Sequence, residues 1–166
     1  MRVCSFVLAA VVLVVPSVSA VHAAGAKKGP AHVMLAPDAI KWGPFPPGGP
    51  GAEIAVLSGN PQKEGPFVIR IRTPAGSRVP PHWHPTDEHV TVIEGPVGFG
   101  MGEKFDETAG REYPVGSYVF MPKTMRHFAW NKGEAIVQVH GMGPFKVIFV
   151  NPADDPSRAG GAPKAR

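Results

Sequence analysis

The sequence predicts an all-β fold, and three observations carry that prediction. The 166 residues include 20 glycines and 20 prolines. Proline breaks helix interiors and glycine weakens them, so long helices are disfavoured. From Glu53 onward, short runs rich in Val, Ile and aromatic residues alternate with turn signals such as Asn60-Pro61, Lys132-Gly133 and Gly143-Pro144, the pattern of a small barrel or sandwich. No amphipathic helical stretch and no fixed-period repeat interrupts them. With 43% apolar and 18% charged residues, the chain can build one packed domain with appendages.

Residues 1–24 carry Arg2, an apolar run from Phe6 to Val15, then Pro16 and small residues ending in Ala20, Ala23 and Ala24. This is the plan of a secretory signal peptide. The run is about half the roughly 20 residues that a membrane span needs. The expectation is export by the general route to the periplasm or beyond, with no membrane attachment after cleavage. Cys4, the one cysteine, precedes the apolar run and leaves with the signal. The exported chain then has no thiol for disulfides, metal binding or nucleophilic attack.

Residues 25–52 are dense in Pro and Gly with isolated apolar residues such as Val33, Leu35, Ile40 and Trp42. They read as an extended arm that packs on the domain surface, or on a neighbouring subunit, and forms no core of its own. Between 53 and 150 eight strands are expected, over 53–59, 66–74, 88–95, 97–101, 116–122, 126–131, 134–141 and 145–151. Residues 151–166 hold nothing larger than Ala and Pro among their apolar residues, as in a loose tail. The net charge of +4 comes from 17 basic and 13 acidic residues scattered singly. That is not the concentrated basic face that nucleic acid requires.

The chemistry is concentrated between Gly76 and Gly95. His82 and His84 are two apart, and Glu88 follows four further on with the same parity. On an extended chain all three project to one side. His127, at the start of an apolar strand after Gly116 and Pro122, is a fourth candidate. Neutral imidazoles and a carboxylate suit a divalent transition metal such as Fe, Mn, Zn, Cu or Ni. Four protein ligands leave positions open for water or substrate on a five- or six-coordinate ion.

These residues resemble the cupin superfamily. Gly76, His82, His84, Glu88 and Gly95 stand at the spacing of its first motif, and Gly116, Pro122, His127 and Asn131 at that of its second. The chain looks most like small, exported, single-domain bacterial cupins. One departure is Thr124, where the family usually has a glycine in the turn. The resemblance implies a double-stranded β-helix, a jelly-roll barrel, holding one divalent metal ion per chain with His82, His84, Glu88 and His127.

Other residues divide by parity. His89 should face outward, and so should Trp83 and Trp130. Arg70 and Arg72 alternate with Ile69 and Ile71 and default to solvent. Tyr118, Phe120 and Met101 are candidates for core packing or for an apolar pocket wall. In 134–141, one register brings Gln138 and His140 inward, and the other brings Ala135, Val137 and Val139 inward. The first makes His140 a general base beside the metal. The function expected is metal-dependent chemistry on a small organic molecule that chelates the metal. Oxygenase chemistry leads and lyase or isomerase chemistry follows; a non-catalytic periplasmic metal- or ligand-binding protein is the rival. Flat barrel faces and an extended arm favour a homodimer.

Overall fold

The structure, a computed structural model, describes residues 32–156 and residue 158. The expected signal peptide, the start of the arm and the end of the tail lie outside the described residues. Eleven strands follow in order: β1 (Gly43–Pro44), β2 (Glu53–Ser58), β3 (Gly65–Thr73), β4 (Arg78–Trp83), β5 (Glu88–Glu94), β6 (Val97–Met101), β7 (Gly110–Tyr113), β8 (Tyr118–Met121), β9 (His127–Trp130), β10 (Ala135–Gly143) and β11 (Ile148–Phe149). They form two antiparallel sheets, one ordered β1-β2-β3-β10-β5-β8 and the other β11-β4-β9-β6-β7. This is an all-β jelly-roll barrel with short one-turn 3₁₀ segments and no α-helix among the described residues. No helix there is long and apolar enough to cross a membrane.

The core follows from period-two alternation on each strand. Phe67 and Ile69 of β3, Val90 and Val92 of β5, Val139 of β10 and Met121 of β8 are all almost completely buried. Val97 and Phe99 of β6 meet them from the second sheet. Each such side chain contributes roughly 1.5–3 kcal/mol by leaving water. Gly98 and Gly100 alternate with Val97 and Phe99 because rings from β9 lie on the opposite face. A Cβ at Gly98 would sit 2.1 Å from the Trp130 ring, and one at Gly100 would sit 2.2 Å from Phe128. Trp130 and Phe128, joined by Phe105, thus make a second apolar layer behind the sheet.

Three strands go beyond the expected set. β1 arises from the Pro/Gly arm and pairs with β2, Gly43 opposite Ile54. β4 contains Pro80 and Pro81, which cannot donate ladder hydrogen bonds, and the register slips between Val79 and His82. Proline inside a sheet is tolerated at such irregularities, so β4 escapes a reading based on unbroken β-formers. β7 is short and polar and borrows its order from β6. The last expected run, 145–151, shrinks to the two residues of β11.

Thr124 adopts φ +66°, the one non-glycine residue with positive φ among the described residues. The turn therefore has the left-handed geometry that glycine supplies more cheaply, and threonine holds it through its amide, which donates to the His84 carbonyl at 2.8 Å. A β-branched residue is strained there. Thr124→Gly is expected to raise unfolding free energy by about 1 kcal/mol after allowance for glycine's larger unfolded-state entropy. Chemical denaturation checks this, and destabilisation would show that the Thr124 side chain contributes more than its backbone costs.

Candidate metal centre

The site forms where the two sheets meet. His82 lies near the end of β4 and His127 opens β9, and the two are directly opposite in the ladder. His84 follows two residues after His82, just past β4, and Glu88 opens β5 in the other sheet. All four side chains are buried, with exposures of 6%, 3%, 7% and 2% for His82, His84, Glu88 and His127. The ligand atoms of His82, His84 and His127 all lie within 4.8 Å of one another. Glu88 Oε2 stands 3.4 Å from His84 Nε2 and 3.3 Å from His127 Nε2. The four residues expected to meet are thus together, the three histidines as the tight cluster and the carboxylate against two of them.

Hydrogen bonding decides which nitrogen each ring presents. Nδ1 of His82 contacts the Pro80 carbonyl at 2.7 Å, that of His84 the Lys146 carbonyl at 2.7 Å, and that of His127 the Met125 carbonyl at 3.0 Å. A carbonyl only accepts, so each Nδ1 carries a proton, and each ring turns its Nε2 to the centre. This is how proteins orient metal-binding imidazoles. His84 Nε2 is buried with no hydrogen-bond partner, a costly arrangement unless a cation accepts its lone pair. Stacking of His84 on Phe145, centroids 4.3 Å apart at 19°, holds that ring in place.

Electrostatics point the same way. Burial, followed by the adjacent His127 and His84, lowers the His82 pKa to about 3, so this imidazole is neutral near pH 7. Burial also works against ionisation of Glu88, but the adjacent His127 and His84 rings outweigh it and hold its carboxyl well below the usual carboxylate range. Three neutral nitrogens and one carboxylate fit a divalent transition metal. Their chemistry and the orphaned Nε2 are the observations on which that fit rests.

The cluster opens into a cavity of about 80 Å³, walled by aliphatic and aromatic residues such as Ile71, Val79, Phe99, Val137 and Val147. Its polar members besides the cluster are Thr73 and Asn131. Asn131 is fully committed: Oδ1 accepts from the Thr73 hydroxyl, while Nδ2 donates to the Pro74 and Gly133 carbonyls.

His140 is not in this cavity. β10 sends Val137 and Val139 inward, the competing register, and His140 stacks on His89 on the outer face, centroids 4.9 Å apart at 14°. The reason is the ladder: His140 is opposite His89, and Val139 is opposite Val90. Directly opposed residues share a face, so a buried Val90 and Glu88 oblige His89 and His140 to point away. Gln138 likewise faces out, accepting from Arg70 Nε at 3.3 Å. The general-base assignment of His140 therefore fails. His140→Asn is expected to leave metal content unchanged and to shift stability by no more than about 0.5 kcal/mol. A loss of bound metal in that variant would contradict the geometry.

Tyr118, Phe120 and Met101 neither fill the core nor line the cavity; they are 57%, 45% and 49% exposed. Tyr118 instead meets His89 Nδ1 through its hydroxyl at 2.7 Å. Arg72 faces out as expected, paired with Glu53 and lying over Trp42. Val33 and Leu35 are exposed and anchor nothing. Phe45, Pro47 and Gly48 of the arm, with Phe145, do line the cavity. The available signal for them was an aromatic residue set among prolines and glycines.

Solved structures share this architecture. The polyketide cyclase RemF from Streptomyces resistomycificus superposes with a TM-score of 0.63 at 19% identity, covering 80% of this chain and 95% of its own. An acetylacetone dioxygenase from Acinetobacter johnsonii gives 0.57 at 18% identity over 77% and 83%. An RmlC-like cupin from Shewanella frigidimarina gives 0.54 at 15% over 68% and 91%. At these identities the likeness is one of fold. No curated protein sequence matches the chain. The family of ChrR cupin-like domains matches residues 30–146, which include both histidine motifs and every cavity-lining residue except Val147; the chain belongs to that family, within the cupin superfamily.

Proposed function

We propose that this protein is an exported metal-dependent enzyme of oxygenase type, acting on a small, largely apolar molecule that chelates the metal through two oxygens. The observation that carries the reading is the set of three imidazoles, each locked by a backbone carbonyl so that Nε2 faces an apolar cavity. His82, His84 and His127 would hold the ion with Glu88 beside them. A bound ion of this kind supplies Lewis acidity and, for iron, O₂ activation. The chain's own contributions are to orient the nitrogens, to exclude water and to set the charge around the ion.

The cavity wall argues for the substrate class. Among the described residues it holds no charged side chain apart from the cluster, so nothing pairs with a carboxylate or ammonium on the substrate. A neutral 1,3-dicarbonyl fits this chemistry, and acetylacetone, named for one structural neighbour, is the simplest example. The absence of a further acid or base in the wall weakens lyase and isomerase readings, which need a proton moved by the protein. The same absence favours one rival, a ligand-binding cupin without turnover. Export and a homodimer belong to this proposal too.

The deciding test is oxygen consumption by protein reconstituted with each of Fe, Mn, Ni, Cu and Zn and supplied with acetylacetone. Uptake dependent on metal and substrate supports the enzyme. Chelator binding without uptake under any metal establishes the binding protein. Fractionation of cells producing the full chain tests export.

A further inference from the structure

We infer that a strap outside the barrel, Phe45 to Ala52, sets the size of the chelator that the cavity admits, and that Phe45 is its selecting residue. This rests on the functional reading above. The strap belongs to the arm, which composition describes as an extended segment with no core of its own. Three of its residues, Phe45, Pro47 and Gly48, nevertheless form part of the cavity wall.

It is a closed and braced loop. The Phe45 amide donates to the Ala52 carbonyl at 2.8 Å, which ties its two ends together, and Gly48 and Gly49 amides donate back to the Phe45 and Pro46 carbonyls. β1 and β2 continue that closure as a ladder. Pro46, Pro47 and Pro50 remove backbone freedom within the loop. Gly49 at φ +92° and Gly51 at φ +74° make the reversal that returns the chain to β2.

The Phe45 ring has little choice of position. Gly48 is buried, and a Cβ placed on it would meet Phe45 Cδ1 at 3.0 Å and Ala52 Cβ at 2.7 Å. The ring therefore lies on the bare Gly48 backbone, wedged by the loop that carries it. A fixed aromatic wall discriminates by shape: the site takes chelators whose substituents are as small as methyl and rejects those carrying rings. Loops that move on binding select poorly by size, whereas preorganised ones avoid the ordering cost.

The experiment is calorimetric titration of Fe(II)-loaded protein under nitrogen with acetylacetone and with dibenzoylmethane, which has the same chelating head and two phenyl groups. Wild type is expected to bind acetylacetone and to discriminate against dibenzoylmethane. Phe45→Ala should improve the ratio for dibenzoylmethane by roughly tenfold or more, the scale on which a pocket reads bulk. Its iron content should be unchanged, because Phe45 offers no ligand atom and none of the hydrogen bonds that orient the imidazoles involves it. Phe45→Trp should weaken acetylacetone binding, and it keeps the test decisive if the alanine variant does not fold. If wild type binds both chelators equally, or neither substitution alters the ratio, the strap has no selecting role while the functional reading stands. If iron-loaded wild type binds neither chelator, the functional reading itself falls.

Discussion

Protein with His127→Ala should emerge from purification with almost none of the metal that wild type holds, and His82→Ala should behave alike. Each removes one of three imidazoles whose ligand atoms lie within 4.8 Å of one another, and no histidine or carboxylate outside the cluster lines the cavity. Loss of a group that only orients a ligand already weakens metal binding by about 10- to 100-fold. Loss of the ligand itself should exceed the upper end of that range. Elemental analysis of each variant, with a melting curve to show that it folds, is the measurement. Full occupancy in both variants would overturn the metal centre. Glu88→Gln should be milder, because the amide still offers an oxygen while the negative charge that offsets the cation is gone.

Metal-free protein, prepared with a chelator, should lose stability steeply on mild acidification. His82 has its pKa lowered from 6.5 to about 3 in the folded state. Between those values the unfolded chain binds a proton that the native chain refuses, so stability is complete above the unfolded pKa and falls as pH drops. The slope approaches about 1.4 kcal/mol per pH unit for one such group. Glu88 acts in the same direction at lower pH, since its folded pKa is depressed by the neighbouring histidines, and stability is lost as its carboxylate is protonated. Urea titrations at several pH values between 7 and 4.5 should show this decline, and His82→Gln should flatten it. Equal slopes in the two proteins would mean that His82 is not held neutral by burial. Bound metal should protect the wild type, because protons and the ion compete for the same nitrogens.

Most of the fold could be read from residue order. Alternation in β3 set Ile69 and Ile71 against Arg70 and Arg72, and Ile69 is in the core; in β8 the candidates Tyr118 and Phe120 are exposed while Met121, of the opposite parity, is buried. Gly76 and Gly116, named for their motif spacing, both have positive φ. Thr124 was legible as an anomaly, and its φ of +66° shows why. β4 was not legible as a strand because its prolines hide it, and β7 was not because its order comes from β6.

The metal cluster was legible because ligand spacing is a local property. His82 and His84 share parity because they are two apart, Glu88 joins them from the facing sheet after the bend at 85–86, and His127 carries a recognisable turn before it. What the sequence by itself determined, then, is which four residues converge, His82, His84, Glu88 and His127, and the all-β pattern that presents them. The tertiary structure alone decided the facing of β10 and the use of the arm. Parity says which residues of a strand share a face but not which face is buried, and β10 has a credible apolar set on each side. Its partners settled the matter: Val90 opposite Val139 and His89 opposite His140 mean that burying one pair exposes the other. The arm's Phe45 is likewise silent in the sequence, because it becomes a cavity wall only when a ladder to β2 and the bare surface of Gly48 bring its ring against the barrel.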